Sequence, residues 1–167
     1  PILEKSDGSY MPESMDIVRY IDAFDTKPIL TGQTSPKLQQ WLAETRDYLY
    51  SLAMPRWVKA PLEEFATADA IAYFTRKKQI MLGDFAALLA ASDALIAQAN
   101  DHVRQLAPLI RSEKAVNGTL SEDDIHLFAA LRSLSIVKGI HYPQEVESYR
   151  QAMAAASQVP LHDDIAV

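Results

Sequence analysis

One stretch constrains this fold more than any other. Residues 125–137 are nearly all apolar: Ile125, Leu127, Phe128, Ala129, Ala130, Leu131, Leu134, Ile136 and Val137. A helix that is apolar on every side needs neighbours on every side. It is therefore expected at the centre of a helical bundle. Directly before it stands Ser121-Glu122-Asp123-Asp124, the pattern of a capping box. The Ser121 hydroxyl would accept from the N–H of Asp124, and Asp124 would reach back to the N–H of Ser121. Paired carboxylates could also serve metal or acid–base chemistry. The spacing satisfies orphan backbone donors directly, so Ser121 and Asp124 are read as structural caps.

Other segments repeat the helical period. Ser35 caps a helix with Pro36 at its first position, and Leu38, Trp41, Leu42, Thr45, Tyr48, Leu49 and Leu52 line its inner face. Pro55 is expected to end it. Thr67 opens a helix that runs to about Met81, before Gly83. Asp84 then opens one long helix reaching Ile110. Pro143 starts a last helix carrying Val146, Tyr149 and Met153. The fold expected for residues 35–167 is an all-helical unit.

The front of the chain reads differently. Residues 1–5 and 9–11 flank Asp7-Gly8, a dipeptide suited to a tight hairpin turn. A helix is expected over 12–24. Two strands and one helix are too little to fold alone, so residues 1–26 read as the remnant of a larger unit. The turn-rich stretch 27–34 reads as a linker. The chain opens at Pro1 with no methionine, and it is read as a piece of a longer protein.

Charge and composition narrow the function. The net charge is −6 with no long basic run, so neither nucleic acid nor anionic membrane is an expected partner. There is no cysteine, which excludes disulfides, thiolate metal sites and a cysteine nucleophile within these residues. His102, His126, His141 and His162 share no ligand spacing, and no metal is expected. His126, one turn into the apolar helix, is read as a hydrogen-bonded core residue. The aromatics Trp41, Tyr48, Tyr50, Trp57, Phe65, Tyr73 and Phe74 are read as core before cleft. Glu13 and Ser14 begin the first helix, where free N–H groups and the helix dipole favour a carboxylate, or where Ser14 merely caps the helix.

Taken in order, these pieces resemble a known architecture. Residues 10–18 (Tyr-Met-Pro-Glu-Ser-Met-Asp-Ile-Val), 28–32 and 116–128 carry the resemblance. The arrangement is similar to the glutathione transferase type, a thioredoxin-like domain followed by a helical bundle. More closely, it resembles the bacterial glutaredoxin 2 family. The fold class so implied is mainly α: a transferase-type C-terminal bundle preceded by a partial thioredoxin-like hairpin and helix.

The resemblance implies a glutathione-dependent thiol–disulfide oxidoreductase that reduces protein disulfides and glutathione mixed disulfides. Its partners would be glutathione and protein disulfides. It would be a cytoplasmic monomer with no metal. Pro1 matches the cis-proline bordering the glutathione site, and Glu13 and Ser14 match the pair holding the γ-glutamyl end. The family's Cys-x-x-Cys motif has no counterpart here, so no catalytic residue is assigned and the chain alone is expected to be inactive. Two alternatives remain open: a glutathione transferase-like conjugating enzyme, and a helical protein-interaction module.

Overall fold

The computed structural model describes residues 1–24 and 27–167, without the side chain of Asp47. The turn expected at Asp25 and Thr26 lies outside the described residues. The hairpin is present. Strand β1 (Leu3–Glu4) pairs antiparallel with β2 (Tyr10–Met11), Leu3 facing Met11 and Glu4 facing Tyr10. Gly8 takes φ +81°, a conformation a side chain would resist. Its N–H reaches the Lys5 carbonyl at 2.9 Å. The Asp7 carboxylate accepts from the Ser9 N–H at 2.9 Å and the Ser9 hydroxyl at 2.6 Å, closing the turn.

Helix α1 (Ser14–Asp22) follows, and none of its side chains is fully buried. Ile17 and Val18 are half-buried, while Ile21 and Phe24 stay exposed.

Helix α2 (Pro36–Trp57) is the hub of the bundle, touching α3 (Ala68–Leu82), α4 (Phe85–Ala90), α5 (Ser92–Leu106) and α6 (Glu122–Leu134). Leu38, Leu52 and Ala53 are buried at its centre. The expectation that the apolar run would form the central helix is corrected here. Leu127, Leu131 and Leu134 of α6 are fully buried, but His126 and Ala129 are exposed and Ile125 and Phe128 only half-buried. Small and apolar residues on α6 thus line a groove as well as a core. Helix α7 (Gln144–Ser157) packs on α6, and it buries Val146, Tyr149 and Met153.

Two helix boundaries also differ from the sequence reading. Pro55 sits inside α2 and does not end it. The last turn is held by the buried Arg56, whose Nη1 donates to the Leu52 carbonyl at 2.9 Å, Nη2 to the Ser92 hydroxyl at 2.9 Å and Nε to the Val167 carbonyl at 2.9 Å. Those bonds and the burial of Met54 outweigh the donor that Pro55 lacks. The long helix expected from Asp84 is two helices that meet at Ala91. Ser92, just past the break, is buried against Arg56.

The stretch between α1 and α2 is strapped to both sides. The Asp22 carboxylate accepts from the N–H groups of Ile29 (2.7 Å) and Leu30 (3.2 Å). Gly32 donates its N–H to the Leu120 carbonyl at 2.7 Å. A Cβ at Gly32 would collide with the Thr119 carbonyl oxygen, so only glycine permits this approach. The Asn117 amide nitrogen donates to the Gln33 carbonyl (2.9 Å) and to Asp123 Oδ2 (2.8 Å), which also accepts from the Ser35 N–H at 2.6 Å.

Candidate functional site at the start of α1

The start of α1 is built for exposure. Glu13 is the N-cap in extended conformation, and its side chain makes no cap hydrogen bond. Ser14 occupies the first helical position. Glu13 and Ser14 are both exposed. The sequence left open whether Ser14 merely caps the helix. Because Glu13 is the cap residue, the Ser14 hydroxyl is not spent on that task. Free N–H groups at a helix start favour a negative charge, and the Ser14 hydroxyl lies beside them. Pro1 lies at the beginning of the chain, two residues before β1, and is exposed. The strand pairing sets β2 and then Pro12 directly ahead of α1, so the hairpin aims the helix start.

A groove runs from this helix start between α2 and α6. Ser14, Thr34, Arg46, Tyr50, Glu122 and His126 are among its lining. His126 therefore faces a cleft, correcting its reading as a core residue. Of the aromatics, Trp41 and Tyr48 are buried core, and Trp57, Phe65 and Phe74 pack on one another. Tyr50, with Arg46 6.0 Å over its ring, is the one among them that reaches the groove.

One ion pair ties α1 to the α6 wall of the groove. Arg19 of α1 donates from Nε to Glu122 Oε1 at 2.6 Å and from Nη2 to Oε2 at 2.7 Å. The hydrogen bond from Arg19 holds the Glu122 carboxyl below the ordinary carboxylate range, and the attraction of the two charges adds to it. Glu122 opens the helix whose start the sequence read as a capping box, and the box is present. Asp124 Oδ2 accepts from the Ser121 N–H at 2.9 Å and the Ser121 hydroxyl at 3.1 Å, and the Asp124 N–H reaches the Ser121 carbonyl at 3.1 Å. The other oxygen, Oδ1, accepts from the Val116 N–H at 2.7 Å and the Tyr149 hydroxyl at 2.9 Å. Asp124 is thus a buried carboxylate filled by hydrogen bonds, a structural role. The cap at Ser121 and Asp124 was legible in the sequence, whereas the bonds of Asp124 to Val116 and Tyr149 were not.

Among the described residues no group of three or more His, Asp or Glu is placed to hold a metal ion. No helix of the described residues is long and apolar enough to cross a membrane.

Comparison with known proteins places this architecture. The family model described as "Glutaredoxin 2, C terminal domain" matches residues 37–166. Glutaredoxin 2 of Escherichia coli strain K12 is 48% identical over 167 residues, covering 100% of this chain and 78% of the relative. Glutaredoxin 2 of Escherichia coli O157:H7 matches to the same extent. A crystal structure of glutaredoxin 2 from Salmonella typhimurium, in complex with glutathione, superimposes with a TM-score of 0.95 at 47% identity, over 100% of this chain and 77% of that one. The mainly helical fold expected from the resemblance is the fold observed. With its helical unit matched nearly end to end by that C-terminal domain, the chain belongs to the glutaredoxin 2 family of glutathione-dependent oxidoreductases.

Proposed function

We propose that the start of α1 holds the γ-glutamyl end of glutathione in a thiol–disulfide oxidoreductase acting on protein disulfides and glutathione mixed disulfides. The γ-glutamyl end carries a carboxylate and an ammonium. The free N–H groups of the first turn and the Ser14 hydroxyl suit the carboxylate. The Glu13 carboxylate suits the ammonium, and Pro1 borders the same site. The observation that carries this reading is the exposed Ser14 hydroxyl, left free because Glu13 serves as the N-cap. The Salmonella typhimurium relative in complex with glutathione supports it by similarity.

The chemistry needs a thiolate. It attacks a disulfide sulfur, the other sulfur leaves as a thiolate, and glutathione resolves the resulting mixed disulfide. These 167 residues contain no cysteine, so they contribute binding and scaffolding and not the attacking sulfur. In this reading residues 1–26 belong with the thiol-bearing unit, 27–34 join it to the bundle, and 35–167 support it. The protein works as a cytoplasmic monomer.

The test joins the chain to the part of the Escherichia coli relative that it does not span, and assays reduction of a glutathione mixed disulfide. The joined protein is expected to turn over and the chain alone is not. Ser14→Ala in the joined protein is expected to raise KM for glutathione about tenfold while kcat changes little. Turnover by the chain alone, or an unchanged KM in Ser14→Ala, contradicts the reading.

A further inference from the structure

Helix α3 is short of partners. None of its fifteen residues is fully buried. Its inner side is anchored by Phe74, whose ring meets Phe65 and Trp57 at centroid distances of 4.9 and 6.3 Å. Helices in proteins draw most of their stability from packing an apolar face. Yet three large apolar side chains of α3 point outward: Tyr73 is 57% exposed, Ile80 85% and Met81 60%. A lone exposed apolar residue is ordinary, whereas a group on one helix face marks an interaction site.

The same helix carries the chain's one run of three consecutive cations, Arg76-Lys77-Lys78, in a protein of net charge −6. Among the described residues none of the three is in an ion pair. Arg76 and Lys77 lie 5.9 and 5.7 Å from the Tyr73 ring centroid, so cations and exposed apolar surface share one face. A shallow groove lined by Ala68, Ala72, Thr75 and Ile80 runs alongside. Small residues there let a second backbone approach closely.

We propose that this face of α3 docks an acidic amphipathic helix of a partner protein. Its apolar stripe would cover Ile80, Met81 and the Tyr73 ring, and its carboxylates would meet Arg76 and Lys77. Charge complementarity argues for an acidic partner. The net charge of −6 opposes approach to an anionic membrane, and the groove suits a helix better than a flat lipid surface. The proposal rests on α3 alone and does not depend on the glutathione reading.

The test uses the full 167-residue chain and a fluorescein-labelled helical peptide with Glu and Leu at i, i+4 spacing, followed by anisotropy. Saturable binding is expected. Arg76→Glu/Lys77→Glu should weaken it about tenfold or more, and raising salt to about 0.5 M should do likewise. Ile80→Ser/Met81→Ser should weaken it separately, and Arg76→Lys/Lys77→Arg should retain it. These side chains are exposed, so thermal melts should change little and certify folding. Three results would overturn the proposal: no saturable binding, binding indifferent to both weakening variants, or binding to phosphatidylglycerol vesicles through these residues with the peptide ignored.

Discussion

Arg19 and Glu122 meet as a two-pronged pair, Nε to Oε1 at 2.6 Å and Nη2 to Oε2 at 2.7 Å, across 103 positions of sequence. The pair joins the helix that bears Ser14 to the first residue of α6. Planar, bidentate pairing of this kind fixes orientation as well as distance. Arg19 also reaches Asp16 of its own helix at 3.1 Å. The pair sets the start of α1 against the α6 side of the groove.

Cutting that tie should loosen α1 more than the bundle. Glu122→Gln is expected to raise amide exchange across residues 14–22 while α2 and α6 stay protected. Acid should do the same. The Glu122 carboxyl is held below its usual range by the hydrogen bond from Arg19, so its contribution is complete at neutral pH. It is lost only as pH falls through the ordinary carboxylate range and below. Hydrogen exchange at two pH values reads both effects, and uniform loosening of the whole chain would refute the local role.

Asp124 should be the costliest polar residue to remove. Its carboxylate accepts from two backbone N–H groups and from the hydroxyls of Ser121 and Tyr149. Asp124→Ala strands buried donors and should cost about 3 kcal/mol or more. Ser121→Ala should cost about 1 kcal/mol, as a lost cap does. Denaturant unfolding at fixed pH measures both. Equal costs would mean that Asp124 serves only as a cap.

Gly32→Ala places a methyl against the Thr119 carbonyl oxygen where Gly32 also bonds the Leu120 carbonyl. Both neighbours are backbone, which yields poorly. A loss of about 1–3 kcal/mol is expected, the usual cost of forced overpacking. A thermal melt unchanged from the parent chain would show that the strap is not held at this point.

His162 is buried, and its imidazole is pushed down chiefly by that burial, with the Arg132 charge adding to it. The unfolded chain therefore takes up a proton at higher pH than the fold does. Stability is full above the unfolded value and declines as pH falls below it, at no more than about 1.4 kcal/mol per pH unit. His162→Gln should flatten the stability profile between neutral and mildly acid pH. Unchanged curvature in the variant would assign the decline elsewhere.

Local signals carried much of the fold. The caps at Ser35, Thr67, Asp84 and Ser121 are short-range chemistry, and each helix begins where its cap predicts. The misreadings share another cause, since each depends on a partner distant in sequence. Pro55 stays helical because Arg56 is anchored to Ser92 and Val167. The apolar run of α6 is only partly enclosed, because the hub that α3, α4, α5 and α6 pack on is α2. His126 follows from that, turned to a groove and not a core. At the candidate site, Glu13 and Ser14 were legible as a helix start. The Arg19–Glu122 tie was not, since nothing local links two surface charges so far apart.

The central claim is that the start of α1 receives the γ-glutamyl end of glutathione. The most direct measurement is a titration of the isotope-labelled 167-residue chain with reduced glutathione, followed by amide NMR. The amides of Ser14, Met15 and Asp16 should shift progressively, and Ser14→Ala should suppress the change while the rest of the spectrum stays in place. Saturating glutathione with no shift at the start of α1, or shifts there that Ser14→Ala leaves intact, would contradict it.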